Sequence, residues 1–197
     1  MIKKLLATTA VLAMVAAASA NISAFITAPT TVTLTAGAAY YQDIYVTVDA
    51  GDSWTAAGLD ATVSSSFYQD AFDANPPNPA LFGVFPDSEF TSYYTSPGDY
   101  PNAAYNGAIV GIAASNDAGN VLDTDWFDTI SPETGGDYMI ARITVLGDPA
   151  VDTGTGHLQY ASVGNTTLQD FDFMIGVPEP ASLALLVLGG LVVARRR

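Results

Sequence analysis

"YMIARITVL", Tyr138 to Leu146, is the stretch whose reading decides the fold. Its side chains alternate, so that Met139, Ala141, Ile143 and Val145 are predicted on one buried face and Arg142 and Thr144 on the solvent side of a strand. "DIYVTVD", Asp43 to Asp49, repeats the period, setting Ile44, Val46 and Val48 against Tyr45 and Thr47. Working outward, further candidate strands cover 22–28, 31–36, 57–65, 107–114, 157–163 and 170–176. Gly, Pro, Asn and Asp punctuate the gaps, and none of this region has the i, i+3, i+4, i+7 spacing of a long amphipathic helix. Many short strands between turn residues predict an all-β protein, a single antiparallel β-sandwich of jelly-roll type.

The middle breaks this rhythm. From Phe67 to Asn106 the chain is rich in aromatics and prolines. Phe72, Phe82, Phe85 and Phe90 are predicted to seek burial, whereas Pro76, Pro77 and Pro79 forbid regular structure, which predicts one long ordered excursion from the sandwich.

Charge is distributed very unevenly along the 197 residues. Of the 6 basic residues, Lys3, Lys4, Arg195, Arg196 and Arg197 sit at the ends, leaving Arg142 alone among all 20 carboxylates between them. Such a polyanion repels phosphate backbones, so nucleic-acid binding is excluded as a function class. A chain without cysteine has neither disulfides nor thiolate metal ligands.

The ends carry their own signals. "MIKKLLATTAVLAMVAAASA" joins a Lys-Lys start to a short apolar run, and Ala18 and Ala20 form an A-x-A cleavage site, the pattern of a secretory signal peptide over residues 1–20. At the other end, fourteen mostly apolar residues from Ala181 to Ala194 precede Arg195, Arg196 and Arg197. That run is short against the roughly 20 residues a spanning helix needs. The basic cluster is predicted to stay cytoplasmic while the acidic body lies outside.

The order Pro178-Glu179-Pro180, apolar helix and arginine tail resembles the PEP-CTERM sorting signal of bacterial exported proteins. The resemblance implies transient membrane insertion through the C-terminal helix, then cleavage near the tripeptide by an exosortase, a membrane-embedded cysteine protease. Release to the cell envelope, outer surface or extracellular matrix would follow, by way of an inner-membrane intermediate. A permanent single-pass anchor is the alternative. The chain then divides into a signal peptide at 1–20, a β-sandwich at 21–176 and a sorting signal at 177–197, with a helix expected in each terminal segment.

Within the body, "TVTLTAG", "DIYVTVDAG", "GGDYMIARITVLGD" and "HLQYAS" resemble the opening and closing strands of cohesin-like and related carbohydrate-binding sandwiches. "DSWTAAGLDATVSSSFYQDAF" with "DTDWFDT" is similar to a group of exported PEP-CTERM proteins. The first resemblance implies a fold and the second a single domain; neither implies an activity.

Candidate chemistry is sparse, and no catalytic residues are assigned. His157 is the single histidine and no G-x-S-x-G elbow accompanies it, so it reads as a surface strand residue. "NDAGNVLDTDWFD" gathers Asp117, Asn120, Asp123, Asp125 and Asp128, oxygen ligands suited to Ca2+ in a flexible loop; a solvated acidic turn is the alternative. Its spacing does not match an EF-hand. Tyr93, Tyr94, Tyr100 and Tyr105 could present rings to an extracellular polysaccharide, or else roof the core. The sequence thus reads as an exported, surface-sorted, non-enzymatic structural, adhesion or extracellular-matrix protein whose partners are the export machinery and exosortase. A secreted carbohydrate-binding module is the alternative and a glycoside hydrolase the third reading.

Overall fold

The computed structural model describes residues 22–69, 77–95, 111–115, 119–127, 135–162 and 165–176. The expected signal-peptide helix and C-terminal apolar helix lie outside these residues, as do Phe72 and residues 107–110 of the candidate strand over 107–114. Two antiparallel sheets face one another, as the alternation predicts.

In the first sheet, β3 (Gly37–Val48) pairs along its length with β9 (Gly136–Leu146). β1 (Ile22–Ile26) and β2 (Thr30–Leu34) pair with successive halves of β3, and the short β5 (Ser66–Phe67) and β6 (Tyr93–Tyr94) pair with β9. The second sheet has the order β11 (Asn165–Ile175), β10 (Gly154–Ser162), β4 (Trp54–Val63), β8 (Val121–Phe127) and β7 (Gly111–Ser115). Between the sheets, Tyr40, Ile44, Val46, Ile143 and Val145 meet Leu59, Leu122, Trp126, Leu158 and Ile175 in one buried cluster. Burying these side chains is the main favourable term in folding, each contributing roughly 1.5 to 3 kcal/mol.

The phase of β9 differs from simple alternation at one point. Ala141 pairs with Ile44 and Met139 with Tyr45, so Ile140 is an extra residue, and this bulge turns Ile140 into the core. Met139, expected inward, lies on the outer face against Tyr93, Tyr45 and Phe82.

The outer face of this sheet is also not the solvent side that the pattern predicts. The described part of the excursion, residues 77–95, lies across it. After two 3-10 turns, Pro79–Leu81 and Pro86–Phe90, the chain returns as β6 beside Arg142 and Ala141. Thr144 is thereby buried, with the Ser92 hydroxyl accepting from its N–H and donating to its carbonyl. Arg142 is covered by Tyr41 and Tyr93, its guanidinium carbon 4.3 and 5.8 Å from their ring centres. Of the phenylalanines expected to be buried here, Phe82 and Phe90 are half-buried and Phe85 is 42% exposed.

β8 was not anticipated as a strand. Its sequence "VLDTDWF" alternates Leu122, Thr124 and Trp126 inward with Asp123, Asp125 and Phe127 outward. Its aspartates resemble a turn in composition, whereas their spacing is that of a half-buried strand.

Candidate functional site

The open face of the second sheet gathers the single histidine of the sequence with five aspartates. Four strands in register put Asp172, His157, Asp60 and Asp123 in one row across β11, β10, β4 and β8. The adjacent row reads Asp170, Gln159, Gly58 and Asp125. Both rows arise because outward positions recur every second residue, so the aspartates of "LQDFDF" and "LDTDW" fall on the same side as His157.

Within the rows, the groups bind one another. His157 Nδ1 lies 2.6 Å from Asp172 Oδ1, and its Nε2 lies 3.4 Å from an Asp170 oxygen. Gln159 Nε2 donates to that same Asp170 carboxylate at 3.0 Å. The hydrogen bond to Asp172 is the chief cause holding the His157 pKa above its ordinary value; desolvation opposes it, and the charges of Asp172, Asp170 and Asp60 add to the rise. Asp60 is also raised, first by desolvation and then by the charge of Asp123 and the hydrogen bond the two carboxyls share. Asp125 folds over Gly58, where a Cβ would collide with its Oδ1, so the glycine leaves room for the second row.

An open groove of about 530 Å³ runs beside His157, lined by Asp60, Thr62, Thr155, Asp172 and Met174 above Phe173. A smaller one of about 190 Å³ lies between Phe127, Leu168 and Gln159. Met174, Leu168 and Phe127 remain exposed. The face can therefore offer hydrogen-bond acceptors and one imidazole between apolar margins.

The calcium-loop expectation changes with β8. Asp123 and Asp125 stand in separate rows of a strand, and Asn120 binds the Val63 carbonyl through its amide at 3.3 Å. Asp117 and Asp128 lie outside the described residues. Among the described residues no group of three or more His, Asp or Glu side chains is placed to hold a metal ion.

The tyrosine platform is corrected in half of its members. Tyr93 and Tyr94 are 0% and 3% exposed, the first against Met139 and the second 5.0 Å from the Trp126 ring, so neither offers a face to a sugar. Tyr100 and Tyr105 lie outside the described residues, as do Ala18, Ala20, Pro178, Glu179, Pro180, Arg195, Arg196 and Arg197. No expectation from the sequence singled out Asp43, Asp60, Asp170 or Asp172. Their outward phase was readable from alternation; their partners depend on strand register, which alternation alone does not specify.

Among the described residues no helix is long and apolar enough to cross a membrane. No curated protein matches the chain. Residues 176–197 match the PEP-CTERM protein-sorting motif. That motif implies export, exosortase-mediated processing and sorting to the cell surface, and it begins at Gly176, immediately after the last residue of β11.

Proposed function

We propose that the protein is a non-enzymatic structural or adhesion component of the cell surface or extracellular matrix, delivered there as an exosortase substrate. The observation that carries this reading is the sorting motif joined directly to an acidic sandwich. Asp60 and Asp123 stand opposite one another on an open sheet face, not as a pair of carboxyls enclosed in a cleft. Burial of Tyr93 and Tyr94 likewise gives those rings a packing role. Its cohesin-like resemblance fits a module that holds rather than converts.

Carbohydrate binding is the second reading, and the groove beside His157 favours it, since polar acceptors between Met174 and Phe127 suit a hydroxyl-rich chain. The discriminating experiment passes exported mature protein over immobilised polysaccharides and over extracellular matrix from the producing cells. Retention by matrix and not by purified polysaccharides supports the structural reading. Retention by one polysaccharide, abolished by His157→Ala with Phe127→Ala, would replace it with the carbohydrate-binding module.

A further inference from the structure

The sandwich ends in a clamp. Gly176, the first residue of the matched sorting motif, is buried, and its N–H donates to Gln42 Oε1 at 2.8 Å. Gln42 is itself 3% exposed on β3, and its amide donates to the Thr27 carbonyl at 2.8 Å, tying the chain's exit to the β1–β2 connection. Gly176 adopts φ +73°, a left-handed conformation that favours glycine. A Cβ there would stand 2.5 Å from the Tyr40 hydroxyl and 2.9 Å from the Pro149 carbonyl oxygen. Tyr40 is held in place by donating to the Asp152 carbonyl. Burial, helped by the Asp152 charge, pushes its phenol up to about 12, so it remains a donor near neutral pH.

Only Val177 separates this clamp from Pro178-Glu179-Pro180. A protease takes its substrate as an extended strand, and backbone already committed to a fold is not available to its cleft. On the exosortase-substrate reading the domain is exported while the apolar segment is still in the membrane, and a single residue of sequence separates the tripeptide from the folded body. We propose that the Gly176 clamp is an autoinhibitory contact that holds the N-terminal flank of the sorting tripeptide in the sandwich, so that exosortase cleavage waits on release of Gly176 from Gln42. This rests on the exosortase-substrate reading. The restrained step is hydrolysis of a peptide bond near the tripeptide: its carbonyl carbon passes to the protease thiolate and then to water, and its nitrogen leaves as a protonated amine.

The test follows cleavage of the full chain by mass spectrometry in cells that carry the exosortase. Two variants are compared with the wild type: Gln42→Leu, which removes the acceptor far from the tripeptide, and a four-residue Gly-Ser insertion between Gly176 and Val177, which keeps the clamp residues and leaves Val177 to Arg197 as one unbroken run. Gln42→Leu should speed processing by about threefold to tenfold, the change in open population that losing one buried hydrogen bond gives. The insertion should speed it at least as much without altering the melting temperature, and it decides the matter should Gln42→Leu fail to fold. Processing at wild-type rate or slower with the insertion would overturn the clamp and leave the sorting reading standing. Chains ending at Arg197 in every case would overturn both.

Discussion

Arg142 and Asp43 stand directly opposite one another across β9 and β3 and are joined twice, from Nε to Oδ1 at 2.7 Å and from Nη2 to Oδ2 at 3.0 Å. Both side chains are 12% exposed. The one basic residue between the terminal signals is thus spent inside, where it also donates to the Glu89 carbonyl at 3.1 Å and so ties the excursion to the sheet. Burial alone would lower the guanidinium pKa, but the hydrogen bonds to Asp43 and the neighbouring Tyr93 and Asp43 charges outweigh it and raise the value.

Removing one partner leaves the other buried and uncompensated. Arg142→Ala or Asp43→Ala should each cost about 3 to 5 kcal/mol in denaturant unfolding. The double variant Arg142→Met, Asp43→Leu should recover much of that loss, because desolvation of a buried pair offsets most of its attraction. A single variant as stable as the wild type would show that the pair contributes nothing.

The face around His157 makes stability depend on pH. A histidine whose folded pKa is raised contributes stability fully present below its unfolded value, near 6.5, and lost as pH rises through the folded value. Asp60 acts in the same direction, since a raised carboxyl favours the protonated folded form. Melting temperature should therefore fall as pH is raised through the His157 titration, followed by NMR of the only histidine. His157→Gln should flatten that limb, and Asp60→Asn should raise the melting temperature at neutral pH. An unchanged slope in His157→Gln would contradict the assignment.

Cations should stabilise this surface by screening. With Asp123 and Asp125 in separate rows of β8, calcium chloride and sodium chloride at matched ionic strength are expected to raise the melting temperature equally. An additional rise with millimolar calcium would instead reveal a specific site.

Neighbouring aromatics should respond oppositely to truncation. Tyr94 is buried against Trp126, whose indole donates to the Thr95 carbonyl at 3.2 Å, so Tyr94→Ala should cost about 3 to 5 kcal/mol. Phe127, beside Trp126 but 37% exposed, should cost far less. Equal losses in denaturant unfolding would refute the alternating phase of β8.

That phase shows where the sequence was legible. Alternation and apolar runs identified β1, β2, β3, β4, β7, β9, β10 and β11, and the inward sets Ile44, Val46, Val48 and Ala141, Ile143, Val145 follow from the alternation. Met139 escaped because the bulge at Ile140 reverses its phase, and such an insertion leaves no mark in a run of apolar residues. Arg142 and Thr144 were misplaced for a different reason: alternation separates two faces but does not reveal that a distant segment covers the polar one. The ionic row through His157 and the clamp at Gly176 depend on pairing between residues far apart in the chain, such as Gln42 and Gly176.

Surface sorting is the central claim, and the most direct measurement maps the protein's location and C-terminus together. Cell-surface, extracellular and inner-membrane fractions would be analysed by mass spectrometry for the wild type and for Pro178→Ala, Glu179→Ala, Pro180→Ala combined, in hosts with and without the exosortase. The account predicts surface or extracellular material lacking the arginine tail only for the wild type with the enzyme present, and uncleaved chains ending at Arg197 in the inner-membrane fraction otherwise. Wild-type chains on the surface that still end at Arg197, in equal amounts with or without the enzyme, would contradict it.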